Sequence, residues 1–150
     1  MWHAFGETNF NPHGASPMSS IELATPKYPF SPGLLVGDTL YVSGHLGIDL
    51  ATGKGPSDLE SEVRVMMNAF QRTVQASHML MDDLVSVTVY CTDLSAFATF
   101  NGIYTQYFRP PYPARAFIGT DKLLLDTHFE IQGIAIKDAH KTKAVVTIRG

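Results

Sequence analysis

The sequence predicts an α+β domain, a single mixed β-sheet covered on one face by two α-helices. Three observations carry that expectation. Two long segments repeat apolar residues at three- and four-residue spacing, several short segments alternate with period two, and the two kinds are interleaved along the chain. With 150 residues, 45% hydrophobic and 17% charged, the chain suits one core and not two.

Residues 1–19 mix Gly, Pro, Asn and Ser with scattered aromatics and hold neither period, so they are expected as an N-terminal extension, before a domain over 20–138 and a tail over 139–150. "SIELAT" alternates and predicts a short strand. In "LLVGDTLYVSGHLGID" the pair Gly37-Asp38 separates two apolar runs, the spacing of a β-hairpin whose turn needs a glycine. Ser57-Asp58-Leu59-Glu60 has the form of a capping box, which starts a helix at Ser57. Leu59, Val63, Met66, Met67, Phe70 and Val74 then form one apolar stripe, to about Met79, best explained as core. A β-branched strand follows in "DDLVSVTVYCTDL". Asp93 and Ser95 offer caps for a second helix, about 96–108, with a stripe of Phe97, Phe100, Tyr104, Tyr107 and Phe108 that the following prolines close. Strands are expected at about 114–119 and 128–137, and "HKTKAVVTIRG" carries one more short alternating run. Helices on one side only, over strands apolar on both faces, predict self-association through the sheet, with ligand clefts at the subunit boundaries.

Composition removes several classes of function. A net charge of −3 and a pI near 6.0 give no broad basic surface for nucleic acid. No stretch is long and apolar enough to span a membrane, and the N-terminus lacks the pattern of a signal peptide. Cys91, the only cysteine, requires no oxidising compartment, which makes a reducing cytoplasm the default, and its apolar strand should keep the thiol inert. The six histidines are scattered without metal-ligand spacing. His45, at a glycine-rich bend where a side chain can point into a cleft, is the one of interest, and a satisfied or exposed imidazole explains it somewhat better than a catalytic one. Neither a nucleophile elbow nor a phosphate-binding glycine loop is present.

Arg115 and Glu130 remain. "PPYPARAFIG" delivers a guanidinium into one strand pattern and "HFEIQGIAIK" sets a carboxylate in another. Residue types alone leave three readings of Arg115: a surface charge, half of a buried pair with Glu130, or an anion receptor.

The blocks "PFSPGLLVGDTLYVSGHLGID", "TDLSAFATFNGIYTQYF", "YPARAFIG" and "FEIQGIAI" together resemble the Rid family of reactive intermediate deaminases, also called the YjgF family. The resemblance runs in order from about Tyr28 to Lys137. It implies a chorismate-mutase-like subunit, a homotrimer with three intersubunit clefts, no metal or organic cofactor, and hydrolysis of 2-imino or enamino acids to 2-keto acids and ammonium. By the same resemblance Arg115 anchors the substrate carboxylate and Glu130 orients water. Ser43, Gly44, Ala116 and Phe117 then lie near substrate, and Asn101 matches the asparagine of the second-helix block. Two positions depart from the family pattern: Phe30 stands where the best-studied deaminases carry tyrosine, and Phe117 where a cysteine is common. A trimer that binds small carboxylates without turnover is the alternative, with an endoribonuclease or chaperone-like role behind it.

Overall fold

The hairpin forms where the sequence predicts it, because Gly37 takes the left-handed φ of 59° that the two-residue turn requires. It joins β1 (Gly33–Val36) to β2 (Thr39–Leu46), with Leu35 opposite Leu40. The computed structural model describes residues 28–49 and 51–148, and the chain divides into two units, 1–30 and 31–150. The strand expected in "SIELAT" lies outside the described residues. Everything below concerns the second unit unless stated.

Helix α1 (Leu59–Ala76) starts one residue later than its capping box suggests. Asp58, with an extended backbone, is the cap, and its carboxylate accepts from the Ser61 amide at 2.8 Å. A carboxylate there also suits the positive end of the helix dipole better than the hydroxyl of Ser57. The helix ends at Ala76, short of Met79, because His78 takes a left-handed φ of 59° and its amide turns back to the Gln75 carbonyl. Its expected stripe is the core: Val63, Met66, Met67, Phe70 and Val74 are fully buried.

Strand β3 (Leu84–Cys91) leads into α2 (Phe97–Tyr104), which is shorter than the expected 96–108 segment. Single 3-10 turns at Leu94–Ala96 and Thr105–Tyr107 take up its ends. Asp93 caps the first of these turns by accepting from the Ser95 amide. β4 (Ala114–Gly119) and β5 (Phe129–Ile136) complete a five-stranded sheet of order β1-β2-β5-β3-β4. β3 and β4 run parallel and the other pairs antiparallel, so the sheet is mixed. A parallel pair needs a crossover, and α2 supplies it.

Leu40, Val42, Val87, Val89, Cys91, Phe129, Ile131 and Ala135 point to the helices and are buried. The opposite face is more polar than its strands suggested, since Ser86, Thr88 and Tyr90 stand beside Gln132 and Glu130 there. Two buried carboxylates tie together segments distant in the chain. Glu62 of α1 accepts from the His128 amide and Nδ1 and from the Phe129 amide. Asp83 accepts from the Leu80 and His140 amides and from His140 Nδ1. Burial works against ionising Asp83, but these donors outweigh it and hold the carboxyl below its ordinary pKa. The C-terminal alternating run joins no sheet, and Val146 and Ile148 are 91% and 95% exposed. Alternation forms a strand only where a ladder partner is available.

Candidate functional site

Arg115 is half-buried on the helix-facing side of β4, level with Val87. Its guanidinium carbon lies 4.6 Å from the centre of the Tyr104 ring and 5.7–5.8 Å from those of Phe97, Phe100 and Phe117. Tyr104 and Phe100 are buried, whereas Phe97 is 45% exposed. Among the described residues no carboxylate pairs with Arg115. Burial pushes the Tyr104 phenol up to about 12, the neighbouring guanidinium pulling the other way, so this hydroxyl keeps its proton at any physiological pH. It lies beside Arg115 without the alignment of a hydrogen bond and finds no other partner. Weakly hydrated and planar, a guanidinium is suited to such a bed of π-faces.

Glu130 stands on the other face of the sheet. It is level with Tyr90 where Arg115 is level with Val87, three residues along β3 and two strands across, so roughly 10 Å separates them in each in-plane direction. The reading of Arg115 as half of a pair with Glu130 is therefore excluded within one protomer. The structural reason is the period of the strand, which turns residues 115 and 130 to opposite sides.

Glu130 instead meets the end of β2. The register of β2 on β5 passes from Val42–Gly133 to His45–Ile131, so Ser43 and Gly44 together oppose Gln132 in a β-bulge. A methyl group at Gly44 would overlap the Glu130 carboxylate, which makes glycine the residue that admits it. Burial raises the Glu130 pKa, and no cation pairs with the carboxylate among the described residues. Ser43 donates its hydroxyl to the Ser31 carbonyl and helps line a shallow pocket of about 310 Å³ with Ser31, Leu34, Tyr41 and Val42.

The same bulge turns His45 inward, where its ring nitrogens meet the Ser43 carbonyl at 2.7 Å and the Thr73 hydroxyl at 2.8 Å, edge-on to Phe70. Burial lowers its pKa, partly opposed by the Ser43 bond. His45 is thus a satisfied, partly buried histidine whose surroundings favour the neutral ring. Cys91 is fully buried, and burial raises its thiol pKa. Among the described residues no group of three or more metal-ligating side chains comes together, and no helix is long and apolar enough to cross a membrane.

The expected residues therefore fall into two clusters. Arg115, Phe117 and the α2 aromatics form one, and Asn101 is carried on the same helix, four residues after Phe97. Ser43, Gly44 and Glu130 form the other. Ala116 is exposed on the face away from the helices, next to Thr88. Phe30 belongs to the first unit, where it stacks on Tyr28 at 5.6 Å. Phe97, Phe100 and Tyr104 were legible only as a core stripe, because the spacing that buries a ring against a sheet also brings it against a side chain of that sheet.

Residues 21–137 match the family described as Endoribonuclease L-PSP. The 2-iminobutanoate/2-iminopropanoate deaminase of Escherichia coli is 30% identical over 112 residues, 73% of this chain and 88% of that protein. A RutC family protein of Saccharolobus solfataricus is 37% identical over 111 residues, 73% and 87% of the two chains. Among solved structures, E. coli TdcF with bound serine superposes with a TM-score of 0.70 at 30% identity, covering 74% of this chain and 90% of that one. RidA from an Antarctic Psychrobacter gives 0.70 at 29% identity, with the same coverage. Motifs, sheet order and relatives agree: this chain belongs to the Rid (YjgF) family of reactive intermediate deaminases.

Proposed function

We propose that this protein is a deaminase that hydrolyses 2-imino and enamino acids to 2-keto acids and ammonium in the cytoplasm, working as a homotrimer without metal or organic cofactor. One observation carries the reading: a half-buried guanidinium bedded on aromatic rings, with no carboxylate of its own among the described residues. Such a group is an anion receptor awaiting a ligand. Its planar fork matches a planar carboxylate through two parallel charge-assisted hydrogen bonds. The bound serine of TdcF carries the same carboxylate, and the deaminase named above acts on imines of this class.

Holding the carboxylate fixes the imine carbon beside it. Glu130, with its raised pKa, takes a proton from a water that attacks that carbon, while the imine nitrogen takes one from solvent. Glu130 then gives its proton to the nitrogen of the resulting carbinolamine and accepts the hydroxyl proton as the C–N bond breaks, which leaves the ketone, and the released ammonia takes that proton from Glu130 and departs as ammonium. The backbone of Ser43, Gly44 and Ala116, the side chain of Asn101 and the ring of Phe117 complete the substrate surroundings in this reading. Arg115 and Glu130 lie on opposite faces of one protomer, so a cleft containing both takes its Glu130 from another copy of the chain.

Two measurements test this. Sedimentation equilibrium should give a trimer, and a monomer at micromolar concentration overturns the shared cleft. Semicarbazone trapping of imine released by an amino-acid oxidase should slow when the protein is added. Arg115→Ala and Glu130→Gln should each lose all but about a hundredth of the activity or less, yet subunits of the two, mixed in equal amounts, unfolded and reassembled together, should recover about a quarter of full activity, as random assortment of complementing neighbours gives. Binding of 2-keto acids without any turnover would instead favour the non-catalytic carboxylate-binding role.

A further inference from the structure

We propose that Phe97 and Phe117 form an apolar ledge beside the Arg115 fork that selects 2-imino acids with large apolar side chains. The inference rests on the deaminase reading above and adds its substrate class.

The ledge stands where a substrate's side chain arrives. Charge-assisted N–H···O bonds of about 2.7–2.9 Å hold a bidentate carboxylate with its carbon roughly 4 Å from the guanidinium carbon. The α-carbon and its substituent lie one and two bonds further out, each about 1.5 Å. The Phe117 and Phe97 rings are centred 5.7 and 5.8 Å from the same guanidinium carbon, at the depth of the α-carbon. In this proposal a side chain of three or four carbons lies along the rings, whereas a methyl group has little apolar surface to set against them.

The ledge is also stiff and open. Phe117 packs edge-on against Phe97 at 5.0 Å and against Phe100 at 5.2 Å. Phe100 is fully buried and rests on Phe129 at 5.3 Å, so the rings are braced from the core outward and do not fold away when the cleft is empty. Phe97, by contrast, is 45% exposed, and its neighbour Phe117 is only partly buried. Neither ring offers a hydrogen-bond partner, so a hydroxylated or charged tail would lose its water there without replacement, whereas an aliphatic or aromatic tail gains by leaving water. Tyr104 and Phe100 form no part of the ledge, since both are buried beneath the guanidinium.

The experiment compares kcat/KM for imines that an L-amino-acid oxidase generates from leucine and from alanine, read by semicarbazone trapping. The unmodified protein should prefer the leucine-derived imine roughly tenfold or more, as a few methylenes in an apolar pocket allow. Phe97→Ala and Phe117→Ala should bring that ratio towards one, and Phe97→Leu, which keeps apolar bulk, should retain most of it. Equal use of the two imines by the unmodified protein, or a preference that both alanine variants keep, overturns the ledge. Failure to hydrolyse either imine overturns the deaminase reading alone. The ledge is then judged by calorimetric binding of the stable products 4-methyl-2-oxopentanoate and pyruvate: the same preference, lost in Phe97→Ala, supports it, and equal affinities reject it. Because Phe97 projects partly into solvent, its alanine variant should melt close to the unmodified protein, which separates a lost ledge from a lost fold.

Discussion

The two faces of the sheet hold their unpaired charges in different ways. On the helix side, Arg115 lies on four aromatic rings, an environment a guanidinium accepts because its charge is delocalised and its faces are poorly hydrated. On the other, Glu130 is pressed against a glycine at a β-bulge, and partial burial without donors raises its pKa. Glu62 and Asp83 provide the contrast: each is almost fully buried and each accepts three hydrogen bonds. Where a carboxylate serves the fold, its oxygens are satisfied. Among the described residues Arg115 and Glu130 have no ion-pair partner, and in the function proposed above that is what separates groups kept for a ligand from groups kept for stability.

The largest effect should come from the cationic side. Arg115→Ala should lower kcat/KM roughly 10²–10³-fold, the scale of removing one partner of a desolvated charge pair. Its thermal unfolding, followed by circular dichroism, should hardly change, because no ion pair among the described residues is broken. A large fall in Tm with modest loss of activity would reverse the contrast drawn above.

Next comes Glu130→Gln, with a loss of about 10²-fold in kcat as a general base is removed. Here pH adds a sharper test. Burial raises the Glu130 pKa, so the carboxylate form is lost, as pH falls, sooner than for an ordinary glutamate. The acid limb of a kcat/KM profile should therefore stand at higher pH than the usual carboxylate range and vanish in Glu130→Gln. A limb that survives the substitution assigns the proton transfer elsewhere.

Gly44→Ala should cost roughly ten- to a hundredfold in kcat, because the added methyl displaces the Glu130 carboxylate from its seat. KM should move far less, since Arg115 is untouched. The smallest effect belongs to Tyr104→Leu, which removes the ring beneath the guanidinium: about 0.5–1 kcal/mol of cation–π attraction, or a two- to fivefold rise in KM. Tyr104→Phe keeps the ring and should leave KM in place, given that its hydroxyl makes no hydrogen bond.

Much of this was legible in the sequence. Helix α1 was, because six apolar residues at helical spacing leave a single face to bury, and so were β3, β4 and β5, from their alternation. The cap of α1 slipped by one residue because Ser57 and Asp58 are both competent caps and only the backbone conformation decides between them. Arg115 and Glu130 stood out as charges within strand patterns. Their separation onto opposite faces was implicit in the strand period but needed the sheet order, since the order fixes which strands lie between them. The ring bed of Arg115 was hidden because an aromatic stripe looks the same whether it packs on aliphatics or on a cation. Glu62 and Asp83 gave no signal at all. Apart from the Leu80 amide, their partners are backbone amides and histidine rings more than fifty residues away, brought near only by the finished fold.

The bulge at Ser43 and Gly44 makes β2 a strand with a spare residue. Val42 before it and His45 after it face the same way although three positions separate them, so the strand counts the pair as a single step. Shortening the chain by one residue at this point would leave every side chain before and after on its present face. The deletion would act as a correction and not as a frameshift. What would vanish is the seat of the Glu130 carboxylate, so sequence length at this one position is free to vary with the chemistry while the fold stays indifferent to it.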